Sequence, residues 1–584
     1  MWGYEISEQR MEKTFFHRKL SGRLSRKGVR FFSPLKNLSN ALSYTKLRNY
    51  GILFLVFGLL TIFIEFAKST LGAPSADAYG TLIIGASFSL LAAALLAFDK
   101  PLCEGLQDFT VTDFILFDFL RIKRIYTGSG KRINIPSAII IGALLGALSY
   151  FVPVWIIASA LGALIYLAVA IASPEFSLFT TLLALPITPI FEYDRTILCI
   201  LIGICALSFT RKVITGKREY NFEQYDLVIF LMLFFTLISG IFLGGMSSFV
   251  NSVISLVLAL GYFAASNIIT NRRLFECSLS AISLSSVPIA LMTAVEFIKS
   301  IASPEIKFPN YDIHATFSTS GTLSAFLAVA AICSYLLFKY FEKGRAGIFF
   351  AVLLLLDITA IILAVRIDTI FAIAIAAAII TAASKNRKFL ILTIIVYISL
   401  HLIYLIPENA VLILAEKVKL ESSVVTERAA ALIDSLRLLS KNVIFGVGIG
   451  EDAFSDAMLK LSGRAHASSG NLLLQLACEG GIFVPVFFLL LMLIRSAHVY
   501  RYLPYAHKSV TSASLTMSGT VYSLLLIGIF ENIFVDPAIY CLFFVVFGIG
   551  SAMLRASKTE HDERLGYFTD TLSMQSSSVN INLN

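Results

Sequence analysis

Few side chains in this sequence are equipped for polar chemistry, and most of them sit at the ends of apolar runs. Three arginines, Arg366, Arg428 and Arg464, and two histidines, His314 and His466, fall where the loop charges described below put the outer face of a membrane. An arginine fork binds carboxylate or phosphate bidentately and keeps its charge at any ordinary pH. An imidazole titrates near neutrality and suits proton transfer. Arg464 and His466 open the stretch Arg464-Ala-His466-Ala-Ser-Ser-Gly470-Asn471-Leu-Leu-Leu-Gln475-Leu-Ala-Cys-Glu479-Gly480-Gly481. A polar start of this kind at the mouth of an apolar run would face a water-filled cavity. Glu65, Asp357 and Glu531 are further acids in or beside apolar runs. Such groups are costly in a membrane and mark either function or a packing partner.

Each candidate has a plainer alternative. Arg366 can snorkel at a span end or pair with Asp368. Arg428 can belong to a solvated helix face, and Arg437, nine residues on, falls about half a turn round from it. His466 can be an exposed loop residue, and Glu479 can be a hydrogen-bonding group between helices. Gly446-Val-Gly448-Ile-Gly450 has the look of a phosphate loop. It lacks the preceding strand, the Lys-Ser/Thr end and the βαβ setting, so a tight turn between helices is the default. The seven cysteines are scattered, mostly inside apolar runs, and form no CxxC pair. Neither a disulfide framework nor a zinc site is expected. No Asp-rich metal motif is present, and no metal or cofactor is expected.

The elements that hold these residues follow from composition. Charged residues make up 15% of the 584, hydrophobic residues 57%, and mean hydropathy is +0.81. An ordinary soluble protein carries about 25% charged residues. A soluble multidomain enzyme is therefore excluded, and 35 Gly and 15 Pro exclude a disordered or collagen-like chain. The expectation is an all-α polytopic membrane protein of about 14–16 transmembrane helices with one long extracytoplasmic helical loop, each span satisfying its own backbone hydrogen bonds. Apolar runs lie near 51–67, 80–98, 138–152, 154–173, 175–191, 195–211, 227–243, 248–269, 275–298, 319–338, 346–365, 369–384, 388–406, 470–494, 511–530 and 534–554.

Net charge is +9, and its distribution reads as the positive-inside rule rather than as nucleic-acid binding. Starting inside, seven of the even exits carry Arg121, Lys123 and Arg124; Arg211 and Lys212; Arg272 and Arg273; Lys339 and Lys343; Lys385 and Arg387; Arg495 and Arg501; and Arg555, while the even exit near 174 has no basic residue and tests nothing. Both termini are then cytoplasmic. The organisation expected is a basic cytoplasmic arm (1–50), extra transmembrane helices (51–174), a first core part (175–406), an extracytoplasmic loop (407–469), three last core helices (470–554) and a disordered cytoplasmic tail (555–584). Within the loop, Ala429, Leu432, Ile433, Leu436 and Leu439 recur at helical spacing between Val424 and Lys441, which predicts an amphipathic helix.

The stretch 407–494 resembles the signature region of the O-antigen ligase/polymerase family of bacterial membrane glycosyltransferases. The residues that carry the resemblance are Arg428 in the amphipathic helix, the Gly446/Gly448/Gly450 turn, His466 with Asn471 at a span mouth, and Leu474-Gln-Leu-Ala-Cys-Glu479-Gly-Gly481. Val365-Arg366-Ile-Asp368 and Thr316-Phe-Ser-Thr-Ser-Gly321 are weaker matches, and the resemblance covers roughly 175–554. One departure is present. The family's His and Asn are adjacent, whereas Gly470 precedes Asn471 here and His466 stands four residues before that Gly. A helix already running at 466 would keep positions 466 and 470 on one face.

The resemblance implies a membrane glycosyltransferase of cell-surface polysaccharide assembly in the bacterial cytoplasmic membrane. Glycan would pass from a polyprenyl-pyrophosphate donor to a glycan or lipid-glycan acceptor, metal-independently, on the extracytoplasmic side. His466, Arg428 and Arg366 would be catalytic, and Arg464, Asn471, Glu479 and His314 would bind substrate. Membrane lipid would be the remaining partner, and no nucleic acid would bind. The competing expectations are a transporter or flippase of lipid-linked oligosaccharide, and an assembly protein without an active site. A transporter should show paired half-repeats and broken helices at corresponding positions, and none is visible in the sequence.

Overall fold

The computed structural model describes residues 44–71, 78–102, 133–191, 193–214, 220–302, 313–341, 344–364, 366–385, 423–502 and 508–556, with a few isolated positions beside them. The chain forms two compact units, Met1–Ser177 with Leu207–Glu219, and Leu178–Ala206 with Tyr220–Asn584. Among the described residues, twelve helices are long and apolar enough to cross a membrane. The protein is an all-α polytopic membrane protein.

The first unit contains α1 (Leu47–Thr70), α2 (Ala78–Leu96), α3 (Ile135–Leu148) and α4 (Val154–Ala172). Small residues let these backbones approach closely, as is usual where lipid removes the hydrophobic drive between helices. A Cβ on Gly58 would lie 2.6 Å from the Gly85 carbonyl oxygen, and one on Gly142 would lie 2.6 Å from that of Leu53. Phe57, Val154 and Ile157 form the buried centre. Glu65 is buried in α1.

Two further helices, α5 (Pro174–Ala184) and α6 (Asp194–Ile214), carry residues of both units. The second unit continues with α7 (Gln224–Phe242), α8 (Gly245–Ile268), α9 (Arg272–Ala302), α10 (Ser320–Tyr340), α11 (Arg345–Leu363) and α12 (Ile367–Lys385). After the loop helices come α16 (Phe483–Tyr502), α17 (Lys508–Phe530) and α18 (Pro537–Ala556). Helices α10, α17 and α18 are buried almost throughout and form the centre of the unit. Asp357 of α11 is fully buried, and the Ser286 and Ser334 hydroxyls donate to its two oxygens at 2.6 and 3.3 Å. It has packing partners of the kind its position in a span requires.

Three runs differ from the spans expected. Residues 175–191 form only the 11-residue α5, then turns and a 3₁₀ segment, Thr188–Ile190. Pro186 and Pro189 cause the break, since each removes a backbone donor and clashes with the preceding turn. The run near 138–152 is the 14-residue α3, shorter than the roughly 20 residues of a straight crossing. Residues 470–494 are not one helix: α15 (Leu472–Gly480) ends before α16 begins. The span expected at 388–406, most of the N-terminal arm and the C-terminal tail lie outside the described residues.

Candidate functional site

The segment 423–482 carries three helices joined by non-helical turns. It forms α13 (Ser423–Lys441), α14 (Glu451–Ser462) and α15. Leu438, Phe454, Met458, Leu474 and Cys478 pack into one small core that joins the three. The apolar spacing in 424–441 does produce a helix. Among its described side chains the most buried are Ala431, Asp434, Ser435 and Leu438, so two polar residues sit on the inward face. The flanking Leu432, Leu436 and Leu439 are partly buried.

The glycine run has a structural job. Gly446, Gly448 and Gly450 have φ of 73°, 110° and 105°, the left-handed region that disfavours a side chain. The Val447 N–H donates to the Cys478 carbonyl at 2.8 Å, and that of Gly448 to the Glu479 carbonyl at 3.2 Å. These bonds satisfy the orphan carbonyls at the C-terminus of α15. A Cβ on Gly446 would stand 2.3 Å from the Glu479 oxygen. The segment is therefore a backbone cap whose N–H groups are spoken for. The same contact ends the helix: Gly481 has φ +77°, a Cβ there would meet the Ile444 oxygen at 2.0 Å, and the Ile482 N–H donates to Val443 at 2.8 Å. At the other end of α15, the Asn471 side chain caps the helix through the Leu474 N–H at 3.0 Å.

Above this cap lies a cavity of about 110 Å³. Its polar wall includes Arg195, Asn251, Glu451, Gln475, Glu479 and Tyr540. Arg195 opens α6 and is exposed, and its Nη1 donates to the Asn251 Oδ1 at 3.0 Å. Across from it Glu479 is held at both ends. Its carbonyl accepts the Ser239 hydroxyl at 2.7 Å, and its carboxylate accepts the Gln475 amide at 2.6 Å and the Gly450 N–H. Gln475 is oriented in turn by the Ser469 N–H at 2.7 Å. Helix α15 is too short to cross a membrane, and Glu479 stands near its end. Burial pushes the Glu479 carboxyl up to about 7, against the opposing pull of the Gln475 and Gly450 donors.

A second polar group stands at the same end of the unit. Arg366 pairs with Glu531 at 2.9 Å, and Glu531 also accepts the Thr319 hydroxyl. Asp536 is 1% exposed and accepts the Ser318 N–H and hydroxyl at 3.2 and 3.3 Å and the Ala538 N–H at 3.0 Å. Burial raises the Asp536 carboxyl, and these donors pull it back down.

The residues expected from the sequence are brought together only in part. Arg366 meets Glu531, which neighbours the cavity-lining Asn532. Glu479 is on the cavity wall. His466 is half-buried, its Nε2 is 3.7 Å from the Asp434 Oδ2, and its neighbour Ala467 lines the cavity while it does not. No helix runs at 466, because α15 starts at Leu472, so the helical face that would relate positions 466 and 470 is absent. Asn471 is 2% exposed; its oxygen caps α15 and its amide donates to the Ile529 carbonyl at 3.0 Å. Arg464 is exposed. His314 is exposed, with its N–H donating to Glu296 at 3.2 Å. Arg428 lies on α13, and its side chain is outside the described residues, as is that of Asp368.

Arg195 and Asp536 were not among the residues expected. Arg195 had a legible signal, since it is another cation at an outer span end, against the positive-inside bias that singled out Arg366. Among the described residues, no group of three or more His, Cys, Asp or Glu side chains is arranged to hold a metal ion. No protein-family model matches this chain, and no curated protein sequence is significantly similar to it.

Proposed function

We infer that this protein is a glycosyltransferase of cell-surface polysaccharide assembly, in the bacterial cytoplasmic membrane, that takes glycan from a polyprenyl-pyrophosphate donor. The observation that carries the reading is the cavity at one end of the second unit, with Arg195 and Glu479 on its wall beside the helical loop. In this reading that end faces outward. An acceptor hydroxyl attacks the anomeric carbon, the glycosyl C–O bond to phosphate breaks, and the lipid pyrophosphate leaves. Arginine suits the leaving group, because fixed cations stabilise charge as it builds up without reorganising. Arg195 at the mouth, Arg366 beside Asn532 and Arg428 on α13 are the cations assigned to it. The short, separate α15 supports the reading too: it brings a polar helix end to the bundle without exposing its carbonyls to lipid.

The test is a purified-protein assay with lipid-linked repeat units, run with and without a separate acceptor. Chains growing on the polyprenyl lipid mean polymerase, and transfer only to the added acceptor means ligase. A donor left intact in both arms rejects the reading. Reporter fusions near residue 440 should report an external location, and a cytoplasmic signal there would reverse the orientation on which the chemistry rests.

A further inference from the structure

We propose that Glu479 is the group that accepts the proton of the attacking acceptor hydroxyl, the role the family resemblance implies for His466. The inference rests on the glycosyl-transfer reading and assigns the base within it. Three observations carry it. Glu479 lines the cavity and His466 does not. The Glu479 backbone and carboxylate are both fixed, by Ser239, Gly448, Gln475 and Gly450, so its free lone pairs hold a set direction. It has no ion-pair partner among the described residues, whereas His466 stands 3.7 Å from Asp434 on α13.

The surroundings suit a base working near neutrality. The titratable or charged groups that face Glu479 are Arg195 from the start of α6, Glu451 from α14 and Tyr540 from α18, with Cys478 beside it on α15. The cavity walls from α7, α8 and α16 contribute Met232, Thr236, Asn251, Ser255, Val484 and Phe488, none of which titrates. A carboxyl raised to about 7 is half-ionised at neutral pH and takes a proton more readily than an ordinary one. In the step, the acceptor oxygen forms its bond to the anomeric carbon while its proton passes to a Glu479 oxygen. The electron pair of the broken C–O bond leaves with the pyrophosphate.

The experiment is the purified-protein assay followed from pH 5 to 9. Wild-type turnover should rise with pH through about 7 and then level off. Glu479→Gln should lower kcat about 10²–10⁴-fold, leave the donor KM within about twofold, and abolish the rise with pH. Glu479→Asp should recover part of kcat. Gln475→Leu supplies a second reading that survives if Glu479→Gln does not fold. Losing the amide that favours the ionised carboxyl should move the rise to higher pH, while a structural role would leave it in place. His466→Asn should keep the rise. Transfer by Glu479→Gln within a few-fold of wild type, or loss of the pH rise in His466→Asn instead, overturns the assignment while leaving the glycosyl-transfer reading intact. A wild type that consumes no lipid-linked donor at any pH overturns that reading itself.

Discussion

At the end of the second unit away from the cavity, most polar groups are spent on one another, the buried Arg495 being an exception. Asp226 accepts the Tyr220 and Tyr262 hydroxyls at 2.7 and 2.9 Å, Arg555 pairs with Glu223 at 2.7 Å, and Tyr225 meets the His498 Nδ1 at 2.6 Å. Arg495 is fully buried; its Nη1 donates to the Phe547 carbonyl at 3.1 Å and its guanidinium lies over the Phe547 ring at 4.5 Å, while its Nε and Nη2 have no hydrogen-bond partner among the described residues. At the cavity end, the Arg195 side chain is tethered through a neutral Asn251 with no ion-pair partner among the described residues, and Glu479 is held by neutral donors. Satisfied polar pairs rigidify a bundle, whereas charges held in place by neutral groups keep their field available to a ligand. The lesson is that burial alone does not separate function from packing in a membrane protein. Arg495 is the more buried arginine, and Arg195 is the better functional candidate.

That contrast can be broken experimentally. The largest effect expected is on activity: Arg195→Ala should cost about 10²-fold in transfer rate with little change in thermal stability, because the side chain is exposed. A variant of full activity would remove Arg195 from the site. Next is Arg366→Ala, which leaves Glu531 mostly buried without the counter-charge of Arg366 and should cost about 3–5 kcal/mol of stability. The double variant Arg366→Ala/Glu531→Ala should recover much of that loss in a thermal-melt comparison; no recovery would argue that the pair is not what Arg366 contributes.

Smaller effects test the closed end and the base. A Cβ at Gly550 would stand 1.9 Å from the Arg495 Nη2, so Gly550→Ala should destabilise by about 1–3 kcal/mol through overpacking while kcat per folded molecule is unchanged. The last test is a pH slope. The Glu479 carboxyl titrates at about 7 when folded against an ordinary 4.5, so between those values the folded state holds a proton that the unfolded state has lost. Its contribution is fully favourable below 4.5 and is lost as pH rises to about 7, with a slope of at most about 1.4 kcal/mol per pH unit. Glu479→Gln should flatten that part of the stability profile, and an unchanged profile in melts from pH 4 to 8 would show that the carboxyl is not perturbed.

Much of the architecture was legible from runs of apolar residues, because a span must satisfy its own backbone and leaves a long, unmistakable signature. The misreadings have local causes. Pro186 and Pro189 interrupt the run at 175–191, and composition averages over them. Gly481 splits 470–494 because of a carbonyl from Ile444, a residue 37 positions away. The site was less legible. Glu479 and Arg366 were visible as charges in unexpected places. Arg195 met the same criterion, but it lies outside the motif-like stretch. Asn471 looked like a binding group, yet its amide is used up on a cap and on Ile529.

By itself the sequence determined that this is a helical membrane protein, that its basic loops alternate with short polar ones, and that a few charges defy that alternation. Hydropathy and charge bias are sums over neighbouring residues, so one dimension is enough to read them. Only the tertiary structure decided which of those charges share a space. It put Glu479 on the cavity wall and His466 against Asp434, through a glycine strip that caps α15 from outside the helix. That decision depends on backbone bonds between segments about thirty residues apart, and neither segment carries a mark of its partner.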